Sequence, residues 1–256
     1  MMKQNEDKIR LRQVYPSKAL EDLVESYFIF QNPTNQSVKM TIFPDGSFKM
    51  IIEFQGVNIL RYFQTGLWTK EGEIISPPHS SMYGIKFKIL APEYIFQKEM
   101  ASIVFPLQHL PLNFWNIQDI KFDNFQECVE KIEIKLLASL NQKKIQPKKR
   151  QLSQLLYFMN GNISAAEVSN QINWSNRQIN RYLNKYLGVS LKTYLNIQKC
   201  NSSYFHISKG EFYPKNNYFD QPHFIREIKK HTGKTPKEIY KNQNDRFIQL
   251  KFPERE

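Results

Sequence analysis

A pattern of helix caps and basic residues in the C-terminal part of the chain recurs after 45 residues, and this repeat is the strongest constraint on the fold. Ser175 and Asp220 are residue types that cap helix N-termini, and Gly188 and Gly233 are the type that ends helices. The remaining matched pairs are Arg181 with Arg226, Lys185 with Lys230, and Lys192 with Lys237. The repeat therefore predicts two similar helices that carry basic residues at equivalent positions.

Further signals of helix ends surround both copies. Residues 164–167 (SAAE), 175–178 (SNRQ) and 235–238 (TPKE) match the capping box, in which two side chains satisfy free backbone N–H groups. Residues 151–160 and 191–208 carry apolar residues at helical spacing, and Asn173 tolerates the left-handed conformation of a tight turn. These signals predict an all-α region.

The helix predicted to follow Ser175 has two contrasting faces, because successive side chains rotate by about 100°. Its apolar face holds Ile179, Tyr182, Leu183 and Tyr186, and its polar face holds Arg177, Asn180, Arg181 and Asn184. Arginine and asparagine suit paired hydrogen bonds to guanine and adenine edges. Two short helices, a tight turn and such a face are typical of a helix-turn-helix.

The basic charge of the chain is concentrated in the same region. The whole chain has 36 Lys and Arg against 24 Asp and Glu, a net charge of +12. Residues 1–146 carry 17 basic and 16 acidic residues, whereas residues 147–256 carry 19 and 8. This asymmetry is typical of a nucleic-acid-binding module joined to another domain, and a solvated basic surface is the alternative.

Residues 1–146 mix strand and helix patterns and predict an α+β domain. Residues 40–43 and 48–54 flank a Pro-Asp-Gly-Ser turn and predict a hairpin, and alternation at 85–89 predicts another strand. Helical spacing predicts short helices at 18–29 and 92–100 and a longer one at 123–140.

Several protein classes are disfavoured by the sequence. Cys128 and Cys200 are too few for a disulfide framework or a cysteine zinc site, which favours a reducing compartment. The sequence has no long apolar run, signal-peptide pattern, phosphate-binding glycine loop, HExxH or GxSxG motif. We therefore expect a cytoplasmic protein that is not an enzyme and has no catalytic residues, cofactor or metal.

Residues 175–190 (SNRQINRYLNKYLGVS) and 218–236 (YFDQPHFIREIKKHTGKTP) resemble the AraC/XylS family of bacterial transcription regulators. The resemblance covers about residues 150–243 and implies two helix-turn-helix units, at about 151–189 and 208–243, that bind double-stranded DNA. It implies base contacts by Arg177, Asn180 and Arg181 in the first unit and by Gln221, His223 and Arg226 in the second. Asn184, Lys185 and Lys230 complete the predicted DNA-binding set.

Residues 42–46 (IFPDG), 84–87 (GIKF) and 105–110 (FPLQHL) more weakly resemble the β-rich regulatory domain of some AraC-type proteins. A small-molecule effector or dimerisation would follow from that resemblance, and a contact with RNA polymerase from the regulatory role.

The second unit departs from the family pattern. Only residues 210–217 precede it, and Pro214 stands where a complete support helix would continue. We expect a recognition helix with a degenerate or missing partner, which binds phosphate more than it reads bases. Two alternatives stay open: a protein-interaction or weakly DNA-associating module, and a small-molecule-binding protein with an incidental basic tail.

Overall fold

The computed structural model describes residues 9–100, 107–120, 122, 124–140, 144–213 and 218–242. An α+β domain comes first and an all-α region follows, as the sequence predicts. The α-helical region begins with Pro147, a residue that is favoured at the first position of a helix because its missing N–H would have no partner there.

Two antiparallel sheets form the N-terminal domain. Its strands are β1 (Arg10–Val14), β2 (Val24–Asn32), β3 (Val38–Ile42), β4 (Phe48–Gln55), β5 (Asn58–Gln64), β6 (Gly72–Ser76), β7 (Ser80–Phe87) and β8 (Gln108–His109). One sheet has the order β1-β2-β7-β4-β5-β8, and the other pairs β3 with β6. A π-helix (Pro92–Phe96), a 3-10 segment (Phe114–Asp119) and α1 (Phe125–Ala138) complete the domain.

The six-stranded sheet is buried on both faces by alternating side chains. Phe28 and Phe30 of β2 face the two-stranded sheet, where they pack in a cluster with Met40 of β3. Tyr27 and Ile29 belong to the opposite cluster, which includes buried residues of α1. The larger sheet therefore lies between the smaller sheet and a helical layer.

Two local predictions are wrong for the same physical reason. Residues 18–29 were expected to be helical, but Val24–Asn32 is strand β2, whose aromatic and β-branched residues pair with β1 and β7. Residues 40–43 and 48–54 were expected to pair as a hairpin, but β3 pairs with β6 and β4 pairs with β5 and β7. Pairing with distant strands overrode the local pattern in both segments.

The helices of the C-terminal region agree closely with their sequence signals. They are α2 (Pro147–Met159), α3 (Ala165–Ile172), α4 (Asn176–Leu187), α5 (Leu191–Ser208), α6 (Gln221–Thr232) and α7 (Pro236–Lys241). In the N-terminal domain, the helix predicted at 123–140 is α1, whereas the one predicted at 92–100 is only the π-helix, followed by Gln97 with φ 50°. In the part of the chain that the structure describes, no helix is long and apolar enough to span a membrane.

The two regions share an apolar core and are joined by ion pairs. One cluster of buried side chains continues from the sheet through α2 into α3 and α4. At its edge, Lys149 Nζ lies 2.6 Å from Glu93 Oε1, and Arg150 Nε lies 2.8 Å from Asp22 Oδ2. The start of α2 is therefore fixed against the N-terminal domain.

Candidate nucleic-acid interface

Helices α3 and α4 meet at a tight turn that is held by capping interactions. Ser164 and Ser175 each accept a hydrogen bond from the N3 backbone of the helix that follows, and both capping boxes are complete. Asn173 ends α3 in the left-handed conformation (φ 53°), and Lys148 Nζ donates to its carbonyl at 2.9 Å. The sequence signals for this turn are confirmed, and Lys148 adds a contact that they did not predict.

The inward face of α4 packs against α3. Ile179 and Leu183 are fully buried and lie in one cluster with Val168 and Ile172 of α3. Tyr182 adds an edge-on ring contact with Trp174, at a centroid distance of 6.2 Å. Burial of these groups on one side fixes which residues of α4 point to solvent.

The outward face of α4 is cationic. Arg177, Arg181, Asn184 and Lys185 are exposed, and within the described residues neither arginine has an ion-pair partner. Lys185 lies 3.7 Å from Glu99, a contact between two side chains that are more than half exposed and therefore weakly coupled. Four side chains able to donate hydrogen bonds are thus available on one helix face.

Asn180 forms hydrogen bonds within the protein that the sequence did not predict. Its amide nitrogen donates to Asn176 O at 2.8 Å, and its amide oxygen accepts from Leu191 N at 2.9 Å. Leu191 is the first residue of α5, so Asn180 joins α4 to the next helix across the turn at Gly188. Because both polar atoms of the amide already form hydrogen bonds within the protein, Asn180 is less available to a base than Arg177 and Arg181.

Helix α6 repeats the construction of α4 at its ends and on its outer face. Asp220 accepts from His223 N at 2.7 Å, and Gly233 ends the helix with φ 65°. Phe224 and Ile228 are buried, whereas Arg226 and Lys230 are exposed. Lys230 lies 3.7 Å from Glu227, which partly offsets its charge.

The first turn of α6 is more engaged in local contacts than the first turn of α4. Gln221 Nε2 donates to Phe212 O at 3.3 Å, and His223 Nδ1 accepts from Phe219 N at the same distance. The His223 ring also lies 5.7 Å from that of Tyr218, edge to face. Gln221 and His223 are therefore less accessible to a ligand than Arg177 and Arg181.

No helix precedes α6 in the described residues that follow α5, which are 209–213 and 218–220. Pro214 and its neighbours to residue 217 lie outside the described residues. The expectation of a degenerate or missing support helix therefore stays a prediction, and within the described residues α6 packs in a cluster with α5 and α7.

A small cavity lies between the two sheets of the N-terminal domain. Its lining is mostly apolar and includes Phe43, Ile74 and Met82, and its polar groups are those of Asp45, Ser47, Lys49 and Thr65. The cavity measures about 40 Å³, which leaves room for a few water molecules. An organic effector would have to displace these side chains.

Comparisons with known proteins find only remote similarity. The model of a domain of unknown function, DUF6597, matches residues 12–104, which is less than half of the chain. No curated protein matches the sequence.

Solved structures of ToxT from Vibrio cholerae resemble the chain over most of its length. One has 14% identity and covers 91% of this chain and 97% of that chain, with a TM-score of 0.42. A second has 13% identity, coverages of 93% and 98% and a TM-score of 0.38. A third, with unsaturated fatty acid bound, has 14% identity, coverages of 91% and 94% and a TM-score of 0.39. At these identities and TM-scores, no residue of ToxT can be carried over to this chain.

Proposed function

We propose that this chain is a sequence-specific DNA-binding transcription regulator of the AraC type, acting in the cytoplasm on double-stranded DNA. Its α3-turn-α4 unit reads bases in the major groove, and α6 makes a second contact. The observation that carries the proposal is the solvent-facing side of α4, where Arg177, Arg181, Asn184 and Lys185 stand on a helix whose other side is buried.

The chemistry of this face fits a base-reading role. An arginine guanidinium can donate two parallel hydrogen bonds to O6 and N7 of guanine, and an asparagine amide can pair with N6 and N7 of adenine. Arg177 and Arg181 lie one helical turn apart, so both can approach neighbouring bases from the same groove. Lys185, near the end of the helix, is placed for a phosphate contact, which would set affinity and register but not sequence preference.

The second contact has a different character. Arg226 and Lys230 are exposed on α6, but Gln221 and His223 already form hydrogen bonds within the protein. We infer that α6 contributes mainly phosphate contacts through Arg226 and Lys230. The separation of the two helices along DNA, expected to be about 34 Å for successive major grooves, stays a prediction.

A selection of binding sites from random DNA at a stated salt concentration tests the proposal. The wild-type chain should recover a defined sequence. On that sequence, Arg181→Ala should lose about 1–3 kcal/mol of binding free energy and accept other bases at one position. Lys185→Ala should weaken binding to all sequences and lower the salt dependence by about one counterion.

Arg10→Ala is the matched control, because Arg10 is also an exposed arginine but lies on β1 of the N-terminal domain. It should bind the selected DNA as the wild type does. Equal losses on selected and random DNA for Arg181→Ala would contradict base reading. A selection that recovers no sequence would favour the interaction-module alternative, and no retention on DNA at physiological salt would favour the small-molecule-binding alternative.

A further inference from the structure

The two helices proposed to contact DNA differ in what lies behind them. Behind α4 stands α3, whose Val168 and Ile172 are buried against it. No equivalent helix precedes α6 within the described residues. The buried face of α6, where Phe224 and Ile228 are only 2% and 0% exposed, has a partner made of other elements, of which α5 and α7 are part.

A segment of the N-terminal domain provides part of that partner. Phe43, which directly follows β3, is fully buried in a cluster that otherwise belongs to the C-terminal region. The other buried members of this cluster are Cys200, Tyr204, Ile207, Phe224, Ile228 and Ile239. The rings of Phe43 and Tyr204 lie 5.3 Å apart. An aromatic side chain of the first domain thus completes the core beneath α6.

Two contacts next to Phe43 hold the segment against α5. Tyr204 Oη donates to Pro44 O at 3.2 Å. Gly46 has φ +74° and approaches α5 so closely that a Cβ atom there would lie 2.1 Å from Gln198 Nε2. Glycine adopts a positive φ at little cost because it has no Cβ, and the same lack of a side chain permits this close approach. Residues 43–46 therefore follow the surface of α5 at close range.

The base of the segment is fixed by buried charges. Asp45 Oδ1 accepts from Lys49 Nζ and from Ser47 Oγ, each at 2.8 Å, and Asp45 Oδ2 lies 3.4 Å from Lys86 Nζ. Burial alone would raise the pKa of Asp45, but Lys49 and Lys86 hold it well below its usual range. The carboxylate stays charged at neutral pH and joins the segment to β4 and β7.

The other end of α6 also contacts the N-terminal domain. His231 Nδ1 donates to Thr69 O at 2.9 Å, with the ring only 4% exposed. At Gly233, a Cβ atom would lie 2.3 Å from Glu71 Oε1. The N-terminal domain therefore approaches α6 both beneath its centre and at its C-terminus.

From these contacts we propose that residues 43–46, packed on α5, support α6 in the way that α3 supports α4, and that Phe43 positions α6 for contact with DNA. The inference rests on the proposed function. Its consequence is that α6 is a DNA-contacting element only while the N-terminal domain is folded against it, whereas α4 depends on its own neighbours in sequence.

The test compares footprints on the selected DNA. Hydroxyl-radical footprinting of the wild type should show two protected stretches of DNA. The stretch whose protection Arg181→Ala weakens is assigned to α4, and the one whose protection Arg226→Ala weakens is assigned to α6. Phe43→Leu, which keeps an apolar residue but shortens it, should lose the α6 stretch and keep the α4 stretch. Affinity should fall at least about tenfold, because the phosphate contacts of α6 are lost.

Phe63→Leu is the matched control. Phe63 is a fully buried phenylalanine of the same domain, but it packs in the cluster between the two sheets. It should keep both protected stretches. Hydrogen exchange without DNA gives a second readout: Phe43→Leu should speed amide exchange in α6 and leave α4 unchanged. A general loss of structure would instead affect both helices.

The outcomes separate the two proposals. A wild-type protein that protects no DNA overturns the proposed function and this inference with it. A wild-type footprint that Phe43→Leu retains in full, or loses equally in both stretches, overturns only the inference. Loss of the α6 stretch alone, with faster exchange in α6 alone, supports it.

Discussion

Helix α4 rests on α3, which immediately precedes it in sequence, whereas the cluster beneath α6 includes Phe43 of the N-terminal domain. The surfaces that face solvent are similar, with an arginine and a lysine at matched positions, so the difference lies beneath them. A sequence repeat can therefore preserve the outer face of a helix while its support comes from elsewhere in the chain.

The largest loss of stability should come from removing the charge of Asp45, which holds residues 43–46 against β4 and β7. Asp45→Asn leaves Lys49 and Lys86 without their shared carboxylate, and breaking a buried ion pair costs about 3–5 kcal/mol. We expect a loss of this order in urea unfolding at neutral pH. Glu73→Gln, which breaks a pair with Lys39 whose side chains are 61% and 57% exposed, should cost less than about 1 kcal/mol.

The same carboxylate predicts a pH dependence. Because the folded protein lowers the pKa of Asp45, its stabilisation is present above the ordinary value of 3.8 and is lost as the pH falls towards the folded value. The wild type should lose more stability than Asp45→Asn below about pH 4. Parallel stability curves for the two proteins in acid would show that Asp45 is not held in its charged form.

A smaller effect should appear in the reactivity of Cys200, which lies in the Phe43 cluster. Burial raises the pKa of this thiol to about 12, so almost no thiolate is present at pH 8. Alkylation of wild-type Cys200 should be slow, and Phe43→Leu should speed it at least about tenfold by opening the cluster. Peptide mapping by mass spectrometry measures the rate.

Cys128 serves as the internal control in that experiment, since it is buried in the large cluster that α1 shares with the six-stranded sheet. Its alkylation rate should not change in Phe43→Leu. Equal acceleration at both cysteines would indicate a general loosening of the protein and would argue against a local role of Phe43.

The smallest effects should be the same in both helices. Ser175 and Asp220 each accept one backbone hydrogen bond as N-caps, and replacing either with alanine should lower the unfolding free energy by about 0.5–2 kcal/mol. Ser202→Ala, within α5, should cost nothing comparable, because alanine favours a helix interior. Thermal unfolding compares the three. A much greater loss in Asp220→Ala would mean that Asp220 does more than cap its helix.

The features that could be predicted from sequence are those that neighbouring residues determine. Capping boxes, the left-handed Asn173 and the terminating Gly188 and Gly233 specify α3, α4 and α6 within a few residues of their true ends. The exposed face of α4 follows from its periodicity alone. Such features depend on contacts within one or two helical turns.

The features that were missed depend on distant partners. Helical spacing at 18–29 gave no sign that β2 would be enclosed by β1 and β7. Asn180 matched the polar face of α4, but its hydrogen bond to Leu191 depends on how the chain turns at Gly188. Phe43 looked like a strand residue, and nothing in the pattern around it indicates a partner in α6.

The distance between Phe43 and Phe224 along the chain also has a consequence during synthesis. Phe224 is made roughly 180 residues after Phe43, and at about 5–20 residues per second the delay is on the order of 10–40 s. Throughout that interval the N-terminal domain can fold, but the α6 residues that share a cluster with Phe43 have not yet been made. The cluster beneath α6 is thus completed by a side chain that was made about 180 residues earlier.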